Sequence, residues 1–477
     1  MGQANKRGIS IVKIREYIFA GLCVVVFLCA CGLSTAGAVE GEENPIDIVL
    51  EILKGDDQDM QAAAIAMAKD MEGAEVTKAL AKELPGLSAA SQVQLLAVLG
   101  DRGDAAALGA VVAATNAGDG SVREAALKAV GQLGDSSSVM PLAERAAAVK
   151  GGEQKAARES LYRLRGEGID EAILGGIDKA EAKTKVELIT SLGQRNVYAG
   201  VETLLKTAKD ADRKVRVESF KVLSSIGKPK DLPALVDLLI GAKSASDRTE
   251  GEKTVAAVAH KIAKEESQAK IVLAKLASVK DFKVRCSLLI ALGRIGDDGG
   301  LGVLRKGLGS KEVDEQTAAI RALSMWPTGE PVADLLAVAQ GSKTELHKIL
   351  GLRGFVRLLG LKSDRAASET IAMYKQAMLL APNAVEKRRV LSGLSSMASV
   401  DALAMVSVFL EDKELFRESE AAVVKIAGVI YKEHPKESEA VLKKVISSTK
   451  SDTVREQAQG VIELIEGKDA ETKGTTG

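Results

Sequence analysis

The chain is poor in the residues that build β-rich or disulfide-stapled proteins. Among 477 residues there are only 1 Trp, 5 Tyr and 7 Phe, and aromatics make up 3 %. Strands are built on aromatic and β-branched side chains, whereas alanine, leucine, lysine and glutamate, which dominate here, favour helix. Cysteine is scarcer still. Three of the 4 cysteines, Cys23, Cys29 and Cys31, fall near the N-terminus, so Cys286 stands alone in the body and has no internal partner for a disulfide. Stability has to come from packing. An excess of charge is also missing, with 65 basic and 65 acidic side chains in the whole chain. Nucleic-acid binders concentrate basic charge, and no long block of one sign occurs, so no nucleic-acid partner is expected.

Histidine is the other scarce type. His260, His347 and His434 are each 87 residues from the next. At that spacing in a regular array of helices they cannot gather on one zinc ion, whose ligands must lie within about 2 Å of the metal, and they read as surface residues. Motifs of the G-x-S-x-G, H-E-x-x-H and dinucleotide-binding types do not occur. No catalytic residue, metal site or cofactor is predicted.

What the sequence does contain begins with an export-type segment. Lys6, Arg7, Lys13 and Arg15 precede an apolar run from Tyr17 to Leu33, and Ala36-Gly37-Ala38 places small residues before Val39. Residues 1–38 therefore read as a signal peptide, with cleavage before Val39. Leu28-Cys29-Ala30-Cys31 resembles a lipobox, which makes Cys31 a candidate lipidation site, and an uncleaved anchor is the third arrangement. A product starting at Val39 would carry 61 basic and 64 acidic residues.

Beyond residue 45 the chain repeats itself. Asp119-Gly-Ser-Val122-Arg123, Asp212-Arg-Lys-Val215-Arg216 and Asp281-Phe-Lys-Val284-Arg285 each open a segment with apolar residues five, eight and eleven places after the valine. The segments end on Gly134, Gly227 and Gly296. At 100° per residue those apolar positions form one broad stripe on a helix. The aspartate suits an N-cap, accepting from the first free amides. The terminal glycine suits a left-handed residue ending the helix. The arginine lies at the edge of the stripe, where its stem is covered and its head meets a nearby carboxylate; a ladder to the Asp of adjacent repeats is one such arrangement. A second, less regular helix runs between these, as in Leu232-Pro233-Ala-Leu235-Val-Asp-Leu238-Leu239. Intervals of 34 residues from Gly100 to Gly134 and from Gly193 to Gly227 set one helix hairpin per repeat. A lone hairpin leaves apolar surface bare, so hairpins must stack.

The pattern resembles the HEAT-repeat family in its short bacterial form. The resemblance is specific in the three quoted units and poor around 244–275 and 361–384. It implies an all-α fold: an α-α superhelix, or solenoid, of about a dozen hairpins over residues 46–466. It also implies right-handed winding and a concave face lined by the second helices, commonly used to bind proteins. Residues 467–477 lack periodicity and are expected to form a loose tail.

The expected function is a non-enzymatic binding scaffold of the cell envelope, exported to the periplasm or surface, with protein partners on the concave face. Membrane contact is expected only through the N-terminus. The alternative is a HEAT-like enzyme subunit or a protein of the chromophore-lyase type. Candidate partner-binding residues are Lys128, Lys221 and Ile290, which share an outward position in the three repeats, and Trp326, either a partner anchor or a plug for its helix end. Cys286, two residues after Val284, is expected to be exposed on the same inner surface. Arg102-Gly103-Asp104 and the glycines from Gly293 to Gly302 are read as inter-helix turns rather than as adhesion or phosphate motifs.

Overall fold

The computed structural model describes residues 44–474, so the export-type segment and Cys31 lie outside the described residues. Twenty-six α-helices and a few short 3₁₀ turns occur among them, with no strand, and they pair into thirteen hairpins. One apolar core runs unbroken from Ile46 to Ile465. This is an α-solenoid, with each hairpin covering the bare face of the one before.

The second helix of each hairpin is built as its pattern predicts. In Gly120–Leu133 the Asp119 carboxylate accepts from the amides of Ser121 (2.8 Å) and Val122 (3.2 Å). Asp212 and Asp281 cap Arg213–Ile226 and Phe282–Ile295 in the same way. Counting from these caps, the apolar stripe occupies positions 8, 11 and 14. Leu127, Val130 and Leu133 are buried, as are Phe220, Leu223 and Ile226, and Leu289, Leu292 and Ile295.

The arginine ladder is real, but its acceptors are not the capping aspartates. Arg123 donates to Glu153 (Nη2 to Oε1, 2.6 Å), Arg216 to Asp247 (3.1 Å) and Arg285 to Glu315 (2.8 Å), each in the following repeat. The same guanidinium groups reach backward too. Arg123 Nη1 donates to the carbonyls of Ala117 and Gly118, and Arg216 Nη1 to those of Asp210 and Ala211. These carbonyls lie in the turn between the two helices of a hairpin, outside any helical ladder, so one side chain satisfies them and ties two repeats together.

The terminal glycines are not all left-handed, although their position predicts it. Only Gly296 is left-handed (φ 66°); Gly134 and Gly227 have φ of −69° and −57°. Those two are small because a Cβ would stand 2.6 Å from the carbonyl oxygen of Val130 or Leu223. A second set of glycines, inside the helices, sits where neighbouring second helices touch. A Cβ on Gly293 would lie 2.4 Å from the Ala322 Cα, and one on Gly131 would lie 2.7 Å from the Ser160 Cα. Gly100 belongs here as well. It lies within Ala89–Arg102 against Ala129, and the cap of that helix is Gly103.

Successive second helices contact one another far more extensively than successive first helices do, the junction between Gly152–Arg163 and Ala182–Gln194 excepted. A stack whose two layers are spaced unequally curves, with the closer-spaced layer inside. The second helices therefore form the inner layer. The poorly matching regions are explained by length. Ser244 to Asp281 is 37 residues and Thr344 to Asn383 is 39, against 31 from Ser88 to Asp119; the extra residues sit mainly in the connection 260–269 in the one and in the longer helix Ala367–Leu380 in the other, and the helices stay paired. The final helix, Asp452–Gly474, runs past the Gly467 boundary at which a loose tail was expected.

Candidate functional site

At 100° per residue, position 9 from the cap lies about 170° from the middle of the apolar stripe, pointing away from the core. Lys128, Lys221 and Ile290 occupy it in the three clear repeats. The same count from Ser244, Glu312 and Thr344 reaches Lys253, Arg321 and Arg353. From Lys128 to Arg353, position 9 is thus basic in five of eight second helices, the others carrying Ser160, Thr190 and Ile290. The sequence reading stopped at three members because Glu312 and Thr344 do not cap their helices with side chains. Without an aspartate the repeat start goes unrecognised, although counting about 31 residues on from Asp281 finds it.

The row divides by how its charges are balanced. Lys128 pairs with Glu124 (2.8 Å), Lys221 with Glu218 (3.2 Å) and Lys253 with Glu250 (2.9 Å), each within its own helix. Arg321 is exposed and has no carboxylate at ion-pair distance among the described residues. Arg353 forks onto Glu386 of the next repeat, Nε to both carboxylate oxygens (3.1 and 3.0 Å) and Nη2 to Oε1 (2.5 Å).

Around Arg321 and Arg353 the inner face opens into a cleft of about 450 Å³ crossing four successive second helices. Thr249 and Glu252 come from the first, Ile290 and Arg294 from the second, Arg321, Ser324 and Met325 from the third, and Leu350, Arg353 and Arg357 from the fourth. Glu252 is the one carboxylate on this wall. Its residue is only 8 % exposed, and burial pushes its carboxyl up to about 7 against the pull of Arg294 (3.9 Å) and a hydrogen bond from Ser287. Near neutrality it is thus only partly charged. Arg294 has a buried Nε without an acceptor. Arg357 turns Nη1 to the carbonyls of Ser324 and Trp326, both at 2.9 Å, and closes the end of the preceding helix. The wall can therefore receive negative charge, with apolar Ile290, Met325 and Leu350 between the guanidinium groups.

Other candidates resolve differently. Trp326 is fully buried, so it is the plug and not an exposed anchor. It fills position 14, the slot of Leu133, Ile226 and Ile295, a placement that counting from Glu312 would have revealed. His347 is not a surface residue: it is 2 % exposed and its Nε2 lies 2.7 Å from Thr317 Oγ1. His260 Nε2 lies 2.9 Å from the Ile295 carbonyl oxygen, across one repeat. No group of residues able to hold a metal ion occurs among the described residues. Cys286 is half-buried rather than open, and burial, then the charges of Glu315 and Asp314, push its thiol up to about 11. In Arg102-Gly103-Asp104 every member is engaged. Arg102 donates to the carbonyls of Ala68 and Met71, Gly103 is left-handed, and Asp104 accepts from the Ala106 amide.

A family model described as HEAT repeats matches residues 171–256, almost three hairpins running from Ile169–Ile177 to Ala245–Ala259. Residues 171–256 carry HEAT repeats. The same fold occurs in solved structures of the karyopherin Kap121p. With the extreme C-terminus of the protein phosphatase Cdc14p bound, it aligns at a TM-score of 0.53 and 10 % identity, over 95 % of this chain and 57 % of that one. With Nup53p bound, the TM-score is 0.52 at 11 % identity, over 89 % of this chain and 54 % of that one. The chain thus spans little more than half the length of these structures. No curated protein is a significant sequence match to it.

Proposed function

We propose that the chain is a non-enzymatic binding scaffold of the cell envelope that holds a protein partner along its second-helix face. The observation that carries this reading is the position 9 row. Of the eight second helices from Gly120–Leu133 to Glu345–Leu359, five present an exposed basic side chain at position 9, Lys128, Lys221, Lys253, Arg321 and Arg353, while the other faces of these helices are spent on the core and on neighbouring repeats. An open row running along the stacked repeats matches an extended partner laid across them, the usual use of a solenoid's curved surface. The Kap121p structures, whose described contents include protein segments, offer a precedent for the fold alone. The envelope assignment rests on the basic lead, apolar run and small-residue exit of residues 1–38.

A photo-crosslinking amino acid at Lys128, Lys221 or Ile290 should capture a protein in the native envelope. The same group at Leu379, 88 % exposed on the first helix Ala367–Leu380, should not. Crosslinks from Leu379 alone would place the partner on the other layer and refute the reading. Intact mass of the native product should begin at Val39 or at an acylated Cys31; full-length protein recovered soluble from the cytoplasm would remove the envelope assignment.

A further inference from the structure

We propose that the arginine cleft is the receptor for an acidic, partly apolar peptide segment of the partner, seven to nine residues long, bound in extended form. The proposal rests on the scaffold reading and specifies which part of the face recognises what.

Charge comes first. Toward the N-terminus the basic row is neutralised by Glu124, Glu218 and Glu250 on the same helices. In the cleft that neutralisation is incomplete. Arg321 has no acidic partner, and Arg294 reaches its only one, Glu252, at 3.9 Å. Arg353 is neutralised by Glu386 of the next repeat through Nε and Nη2, whereas Arg357 is bonded to carbonyls only and no carboxylate offsets its charge. Three guanidinium groups, those of Arg294, Arg321 and Arg357, thus face one partly protonated carboxyl inside the cleft. Guanidinium presents paired N–H donors that match a carboxylate edge, and a partly enclosed site strengthens the pairing.

Shape and composition then choose among anions. The cleft crosses three gaps between packed helices, each about 8–10 Å, or roughly 24–30 Å in all. At about 3.3–3.6 Å per residue an extended peptide covers that span in seven to nine residues. Ile290, Met325 and Leu350 give apolar contacts that a free inorganic anion cannot use. The lining contains no Phe, Tyr or Trp, the platforms on which single-stranded bases stack. An acidic peptide with interspersed leucines satisfies both kinds of wall.

The test uses the full mature chain and a fluorescein-labelled octapeptide of six glutamates and two leucines, read by anisotropy. Binding should weaken with salt. The double variant Arg294→Gln/Arg321→Gln should bind at least tenfold more weakly, while Lys128→Gln should leave binding unchanged. Because Arg294 is partly buried, circular dichroism of the double variant and the single exposed change Arg321→Gln guard against misfolding; the single change should itself cost severalfold. Equal binding by wild type and Arg321→Gln would overturn the proposal. So would equal binding of a peptide with lysine in place of glutamate, displacement by millimolar inorganic phosphate, or stronger binding of an oligothymidylate to the same cleft. Failure here with crosslinks from Lys128 and Lys221 intact would refute the cleft alone; loss of those crosslinks would refute the scaffold reading beneath it.

Discussion

Replacing Gly293 by alanine adds one methyl group at the tightest described approach to the backbone of a neighbouring second helix. Two opposed effects follow. Alanine is the better helix former by about 0.8–1.0 kcal/mol, so propensity alone predicts stabilisation. The new Cβ, however, would stand 2.4 Å from the Ala322 Cα and 2.5 Å from the Ala322 carbonyl oxygen, where carbon contacts normally lie near 3.5–4.0 Å. These atoms are backbone and cannot rotate away, so Phe282–Ile295 and Val313–Ser324 must separate by about 1 Å. Overpacking costs about 1–3 kcal/mol, and contact with backbone that cannot rotate away puts this site at about 2–3 kcal/mol, which outweighs the propensity gain and leaves a net loss of about 1–2 kcal/mol. Gly302 is the internal control. It lies in the helix Asp298–Leu308 with nothing within 4 Å of its would-be Cβ, so Gly302→Ala should stabilise by about 0.5–1 kcal/mol. A repeat array does not guarantee a two-state transition, so hydrogen exchange on the two affected helices is the appropriate assay, supported by urea unfolding. If Gly293→Ala proves neutral or stabilising, close approach at the inner layer is not what requires glycine there.

Three further outcomes are expected. Glu252 has a folded carboxyl raised from 4.5 to about 7, so its neutral form is favoured on folding. Its stabilising contribution is full below pH 4.5, is lost as pH rises toward 7 and is flat above, amounting to roughly 3 kcal/mol at most. Glu252→Gln should remove that slope in pH-dependent unfolding; an unchanged slope would assign it to other groups. Leu223, fully buried between hairpins, should cost about 2–5 kcal/mol on conversion to alanine. Protection should fall around residues 180–260 and persist from Val122 to Leu133; uniform loss along the chain would contradict a stack of local interfaces. Cys286, with its thiol raised from 9 to about 11, should react with iodoacetamide at pH 8 roughly 100-fold more slowly than an unperturbed thiol, because only the thiolate attacks. Rapid labelling of the native protein would instead restore the exposed placement expected from sequence.

The sequence by itself determined whatever depends on near neighbours along the chain. Capping of Asp119, Asp212 and Asp281 onto amides two or three residues ahead needs no tertiary partner, and the stripe from Leu127 to Leu133 repeats with the helical period, so both were legible. The outward direction of Lys128, Lys221 and Ile290 followed from the same wheel. Tertiary structure decided whatever depends on which helix comes to lie alongside. Gly131 and Gly293 are small because of the backbone of the next repeat, and Gly134 because of a carbonyl behind it, none of which a glycine announces. Arg123, Arg216 and Arg285 chose Glu153, Asp247 and Glu315, about 30 residues on, over the nearer capping aspartates. Trp326 and His347 went inside because their helices start at Glu312 and Thr344, residues that lack the aspartate signal. The cleft draws on four repeats, from Thr249 to Arg357. Its excess charge exists only because those helices are stacked side by side, where the distances between side chains, and so their electrostatics, are set by packing and not by order along the chain.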